Sequence, residues 1–205
     1  MNKPTNWLGS AALAAVLALS AGGAGAQEKT FIFGAVGTPA GFDTDAWLTG
    51  TLETTVNVYE GLTKHAIVTD GSGREVIDAS KVEPHMAESW TVSDGGKVVT
   101  YKIRPGVKSP FGNELSAHDV AHSWAMAKDR KRVGNFMVKV GRVESVEAIS
   151  DSEVKFTLGT ANNIFPRILS TVFPALVDSK VMKEHATADD QWATKWMAKN
   201  TAGFG

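Results

Sequence analysis

The sequence contains no cysteine. No disulfide can brace the fold, no thiolate can serve as nucleophile or metal ligand, and no lipid can be attached at a cleavage-site thiol. A dominant sign of charge is missing too: the formal net charge over 205 residues is −1, and both signs are spread along the chain. That leaves no basic face for a phosphate backbone, so nucleic acid is not an expected partner. There is no Gly-x-Ser-x-Gly elbow and no Gly-x-x-x-x-Gly-Lys phosphate loop, which removes the commonest signatures of acyl and phosphoryl transfer. Internal repeats are absent, and long apolar runs are confined to the first residues.

Those first residues read as an export signal. Lys3 supplies a short positive region, Leu8 to Leu19 an apolar run, and Ala24-Gly25-Ala26 a small-residue cleavage site. The run is too short to cross a bilayer, which takes roughly 20 residues. Residues 1–26 are therefore expected to be a cleaved signal peptide, with Gln27 as the new N-terminus and a periplasmic or extracellular destination.

After the leader the pattern is α+β. Thr30 to Val36 is apolar on both faces and reads as a buried strand, stopped by Gly37-Thr38-Pro39-Ala40-Gly41. Leu52, Val56, Tyr59 and Leu62 fall at helical spacing, with Gly61 as a left-handed cap. Val68 to Lys81 is polar around Asp70-Gly71-Ser72-Gly73 and suits an exposed hairpin or loop. The β-branched and aromatic stretches Trp90-Thr91-Val92 and Val98 to Ile103 flank Ser93-Asp94-Gly95-Gly96, which predicts an antiparallel hairpin. Ser116-Ala117-His118-Asp119 is a helix-capping signature, and Val120, Ser123, Trp124 and Ala127 form the buried stripe of the helix it opens, as far as about Lys128. A second hairpin is expected from Val143 to Ile149 and Val154 to Leu158. Ile164 to Phe173, Ser179 to His185 and Asp189 to Lys199 read as helices, the last with Trp192 and Trp196 one turn apart. Clean βαβ alternation is absent, which disfavours a doubly wound enzyme.

One arrangement could pass for catalysis. His118 and His122 stand at i and i+4, the spacing zinc proteases use so that both imidazoles face one metal. Asp119 replaces the usual Glu, no third ligand stands out, and Asp119 already has a capping task. His65, His85 and His185 are isolated from any paired carboxylate. No catalytic residue, metal site or cofactor is assigned, and an exported zinc-dependent hydrolase is the remote alternative.

The ordered motifs identify a family by resemblance. Gly37-Thr38-Pro39 with Phe42-Asp43, Val58-Tyr59-Glu60-Gly61-Leu62, Glu83 to Trp90, Asp94 to Lys108 and Leu115 to Val120 followed by Ser123-Trp124 together resemble the family 5 extracytoplasmic solute-binding proteins of ABC importers. Thr44 stands where that family usually has Pro, Gly112-Asn113 replaces its usual Asp-Gly, and Ala66 to Ser80 lengthens a loop. The resemblance implies a periplasmic binding protein fold of type II, bilobal when complete and monomeric, of which this chain is the N-terminal part. Residues 27–57 would begin lobe one, 58–199 would form the smaller subdomain, and 200–205 would begin the return into lobe one.

The implied function is capture of a solute, most often a di- or oligopeptide, and delivery to a membrane permease; nickel chelate, opine and oligosaccharide are the alternatives within the family. By the same resemblance Trp47, Leu48, Thr49 and Gly50 line the ligand cleft, with Trp47 either a ligand platform or core. Asn135 and Phe136 approach the ligand from the loop that follows the capped helix.

Overall fold

A computed structural model describes residues 41–43, 45 and 51–204, all within one compact unit. The signal peptide, the strand expected at Thr30 to Val36 and the stretch Trp47 to Gly50 lie outside the described residues. Helix α1 (Thr51–Val58) leads into a hairpin of β1 (Thr63–Thr69) and β2 (Glu75–Pro84). Then come β3 (Ala87–Ser93), β4 (Val98–Ile103), helices α2 (Ala117–Arg130) and α3 (Val133–Val140), and strands β5 (Val143–Ala148) and β6 (Glu153–Leu158). Three short helices follow: α4 (Phe165–Ile168), α5 (Ser179–His185) and α6 (Thr194–Met197). Among the described residues the strands form a β1-β2 ribbon and a four-stranded sheet of order β3-β4-β6-β5, antiparallel throughout. No described helix is long and apolar enough to cross a membrane.

Alternation builds the sheet's inner face. On β4, Val99, Tyr101 and Ile103 are buried; on β6, Val154, Phe156 and Leu158 are buried, and Tyr101 pairs with Val154 across the ladder. The β3–β4 turn works because Asp94, Gly95 and Gly96 all adopt positive φ (47°, 60° and 93°), which two glycines accept without strain. Helix α2 lays Val120, Trp124 and Ala127 on this face. Phe156 sits at the centre, with Trp124, Tyr101 and Phe165 rings at 5.2, 5.6 and 5.1 Å.

The other side of α2 serves a second apolar cluster. Met126 meets Tyr59, Val177, Val181, Met182 and Met197 there. Two polar side chains on α2 hold the intervening chain. Ser123 donates to the Asp119 carbonyl and accepts from the Val177 amide at 3.0 Å, while Asp119 Oδ1 accepts from the Ser179 amide at 2.8 Å. The other oxygen of Asp119 closes the capping box, accepting from the Ser116 amide and hydroxyl. Asp178, buried between them, caps α5 with Oδ1 and accepts from the Ser109 hydroxyl and the Asn113 amide with Oδ2. Asn113, one of the sequence's departures from the family, is thus a donor that a glycine there would not supply. Residues 201–204 return along this strip, with Asp178 N donating to Ala202 O and Phe204 N to Leu176 O.

Several expectations change. Gly61 does not cap a helix: α1 ends at Val58 and Gly61 is not among the positive-φ residues. It is glycine because an added Cβ would lie 2.4 Å from the Leu169 carbonyl oxygen. The polar stretch after Val68, expected as an exposed hairpin or loop, does form a hairpin, β1–β2, turned at Asp70, whose carboxylate accepts from Ser72 and Arg74. Ile164 to Phe173 shrinks to the single turn α4, since Ser170 and Thr171 turn their hydroxyls back onto the Arg167 and Ile168 carbonyls and end it. Asp189 to Lys199 shrinks to α6 because Asp190 holds the Thr194 and Lys195 amides, and Ala193, at φ 49°, breaks any helix through Trp192. Trp192 therefore donates to Asp129, while Trp196 stacks on His185 with ring centroids 4.3 Å apart.

Two outcomes follow. Gly61→Ala should lower stability in urea unfolding by about 1–3 kcal/mol, because backbone oxygens cannot yield easily, whereas Gly71→Ala, with nothing near its Cβ, should change it by less than about 0.5 kcal/mol. The Tyr101 hydroxyl is buried without a hydrogen-bond partner, and burial pushes its pKa up. Tyr101→Phe should accordingly raise stability by about 1 kcal/mol, and a fall instead would show a partner for that hydroxyl.

Candidate functional site

Helix α2 ends at Arg130, shortly before α3, which carries the candidate residues Asn135 and Phe136. Its last residue, Arg130, makes a two-pronged ion pair with Asp43, Nη1 to Oδ1 at 2.8 Å and Nη2 to Oδ2 at 2.7 Å. Its Nε lies 3.7 Å from Asp45 Oδ2. Asp45 Oδ1 accepts from the Gly134 amide at 2.6 Å, and the Asp45 amide donates back to Asp43. The three charged side chains are only 9, 13 and 7 % exposed for Arg130, Asp43 and Asp45. Burial pushes the Asp45 carboxyl above its ordinary range, and the Gly134 amide and then Arg130 pull it partly back.

Further contacts fix the same chain segment. The Tyr59 hydroxyl, its pKa pushed up to about 12 by burial, donates to the Phe42 carbonyl at 2.9 Å and accepts from Thr201. Gly41, at φ 141°, lies against the Ala198 carbonyl, where an added Cβ would come within 2.3 Å. Residues 41–43 and 45 are therefore clamped to α2, α3, the end of α1 and the chain after α6.

Asn135 and Phe136 lie in the first turn of α3, one and two residues past Gly134, and not in a loop. Consecutive helical positions point about 100° apart, and accordingly Asn135 is half-buried while Phe136 is 60 % exposed. The loop expectation came from the family resemblance, and a glycine at 134 does not contradict a helix here. That glycine is inside the helix because an added Cβ would meet Ala127 Cβ at 2.7 Å, so α3 packs close against α2. Trp47, Leu48, Thr49 and Gly50 follow Asp45 in the chain but lie outside the described residues.

The histidine pair takes two different environments. His118, at the solvent side, has Nε2 3.2 Å from Asp151, whereas His122 turns to the ring of Trp192 with centroids 5.2 Å apart. Among the described residues no group of three or more His, Cys, Asp or Glu is placed to hold a metal ion. His118 also lines an open cleft of about 560 Å³ with Arg104, Glu114, Asp151, Lys180 and Lys183. This cleft is at the start of α2, about 18 Å of helix away from Arg130. The histidines read as isolated from carboxylates do find partners in space: His85 Nε2 is 2.7 Å from Glu60, and His65 Nε2 is 3.0 Å from the Ser170 hydroxyl.

An antiparallel sheet backed by α2, with the clamped segment at its far end, is the architecture of one part of a periplasmic binding protein. The profile described as "Bacterial extracellular solute-binding proteins, family 5 Middle" matches residues 81–205. The chain belongs to this family of solute-binding proteins. It is similar to di/tripeptide-binding protein 1 of Pseudomonas aeruginosa (strain UCBPP-PA14), 29% identical over 173 residues, covering 74% of this chain and 30% of the relative. It is also similar to the dipeptide-binding protein of Escherichia coli (strain K12), 27% identical over 184 residues, covering 80% and 32%. Among solved structures, the fold matches the periplasmic binding protein AgaA of A. tumefaciens R10 in complex with agropinic acid, with TM-score 0.59 and 23% identity over 73% of this chain and 28% of that one. The chain thus spans about a third of the length of the curated relatives it matches.

Sequence reasoning named Asn135 and Phe136 as ligand-facing but did not foresee the pairing of Arg130 with Asp43 and Asp45, or of Asp45 with Gly134. Only the Asp43-x-Asp45 pair hinted at them, and nothing local pointed to an arginine 87 residues further on.

The burial of His122 gives a pH dependence. Burial, and then Lys183, lower its pKa, while Asp119 acts the other way. A depressed folded pKa means that the unfolded chain takes up the proton first. Stability is therefore complete above about pH 6.5 and is lost as pH falls from there through the folded value. His122 Nε2 has no hydrogen-bond partner to lose, so His122→Phe should fold and should show a smaller drop in Tm between pH 7.5 and pH 5 than the wild type. Equal drops would mean that the ring titrates as in water.

Proposed function

We propose that this chain is part of the solute-binding component of an ABC importer, that it captures a di- or oligopeptide and delivers it to a membrane permease, and that it catalyses no reaction. Membership of family 5 carries this reading, and the names of the two curated relatives favour peptide as the solute. The complete protein would be bilobal and monomeric, and would close on its ligand by hinge motion, with residues 27–57 opening lobe one and 58–199 forming the smaller subdomain. Export by the leader at residues 1–26 would place the protein in the periplasm.

Trp47 to Gly50 would meet the ligand from one side. Asn135 and Phe136 would meet it from α3, and an aromatic ring left 60 % exposed on a short helix is a suitable apolar contact. The agropinic acid complex of a structural relative favours a second reading, in which the solute is an opine. A nickel chelate or an oligosaccharide are further alternatives of the same class.

Protein expressed from the complete reading frame should be stabilised by dialanine or trialanine in a thermal-shift assay, and the shift should grow with concentration, reaching about 2.7 kcal/mol at a hundredfold excess over Kd. Agropinic acid should produce no shift. Phe136→Ala should weaken peptide binding about tenfold with the Tm of the free protein unchanged, since its ring is largely exposed. A shift with agropinic acid alone would replace peptide by opine, and no shift with any of these probes would remove the peptide and opine readings together.

A further inference from the structure

Arg130 sits at the C-terminus of α2, where an arginine would suit the helix dipole with no partner at all. Instead it is buried against two carboxylates brought from 87 and 85 positions earlier in the chain. As a stability device this is poor: desolvating three charges is costly, and buried ion pairs are commonly matched by well-packed apolar side chains. The group also carries one more negative than positive charge, and the second oxygen of Asp45 has no hydrogen bond. What such a cluster does well is fix a register, because each charge tolerates only one placement of the others.

The register it fixes is specific. Asp45 is the last described residue before Ala46, and the amide it holds, Gly134, is the residue before Asn135. Gly134 is the second residue of α3, so its N–H has no partner within the helix, and the Asp45 carboxylate is its acceptor. Arg130 fixes Asp43 by two hydrogen bonds and brings its Nε within 3.7 Å of Asp45 Oδ2, so the position of the carboxylate relative to α3 depends on the guanidinium.

We infer that Arg130 is a positioning residue for ligand binding, which through Asp43 and Asp45 sets α3, and with it Asn135 and Phe136, in register with the chain segment that enters at residue 41. It touches no ligand itself. The inference rests on the solute-binding reading above and adds to it the residue that holds the binding surface together. Burial keeps the Asp45 carboxyl prone to protonation, and removing Arg130 takes away one of the groups that oppose this.

The test uses protein from the complete reading frame carrying Arg130→Met or Arg130→Lys, with circular dichroism and Tm showing that each is folded at the assay temperature. Hydrogen exchange of the Gly134 amide is compared with amides of β4 and β6 in the same molecule, and dialanine affinity is measured by calorimetry. In Arg130→Met, Gly134 exchange should accelerate at least tenfold relative to the sheet amides, and dialanine binding should weaken at least tenfold. Arg130→Lys should recover part of both. If Gly134 exchange changes only in step with the sheet amides, or if it accelerates while affinity stays at the wild-type value, the inference is overturned. A wild type that binds no peptide overturns the peptide reading instead, and the exchange ratio then decides by itself whether Arg130 positions α3.

Discussion

The structure depends on the burial of one helix on both sides. Helix α2 offers Trp124, Val120 and Ala127 to the sheet and Met126 to a second cluster, and is therefore core over most of its circumference. Apart from His122 Nε2, the polar atoms that such a helix buries need partners, because water cannot reach them. Asp119 and Ser123 resolve this by binding chain segments that approach from elsewhere: the capping turn, the Val177 amide and the Ser179 amide. Asp178 extends the network to Ser109 and Asn113. The second half of the unit is thus held to α2 by carboxylate and hydroxyl acceptors as much as by apolar contact.

The two ends of α2 differ in kind. At its start the polar groups close a cap and anchor α5, which is structural work. At its end the guanidinium of Arg130 draws in two aspartates and, through one of them, the first turn of α3. The charges there are more deeply buried than capping requires, and their product is a fixed placement of Asp43 and Asp45 against the first turn of α3. Family 5 membership and the register at this end are separate observations: the first comes from residues 81–205 as a whole, the second from three side chains and one amide.

Much of the architecture was legible because its signals are local. The β3–β4 hairpin followed from Ser93-Asp94-Gly95-Gly96 between two β-rich stretches, and the α2 cap from Ser116 and Asp119, each within a few residues of what it forms. The stripe Val120, Ser123, Trp124 and Ala127 is buried as its periodicity demands. The short helices α4 and α6 were overestimated, since Ser170, Thr171 and Asp190 offered the backbone side-chain partners that compete with helical ones. The loop expected around Asn135 rested on resemblance, whereas the residues form α3, with Gly134 inside it to allow the close approach to α2.

By itself the sequence determined the class of fold, the order of the hairpins, the buried face of α2 and the family, because periodicity, turn chemistry and motif order are written within short windows. Tertiary structure alone decided which polar groups meet across the chain. Asp45 with Gly134, Arg130 with Asp43, Asn113 with Asp178 and His85 with Glu60 are each set by how separate elements pack, and no spacing along the chain encodes that. The physical reason is the same for each: a charged or hydrogen-bonding side chain is defined by its partner, and the partner's position is known only when the apolar faces have closed.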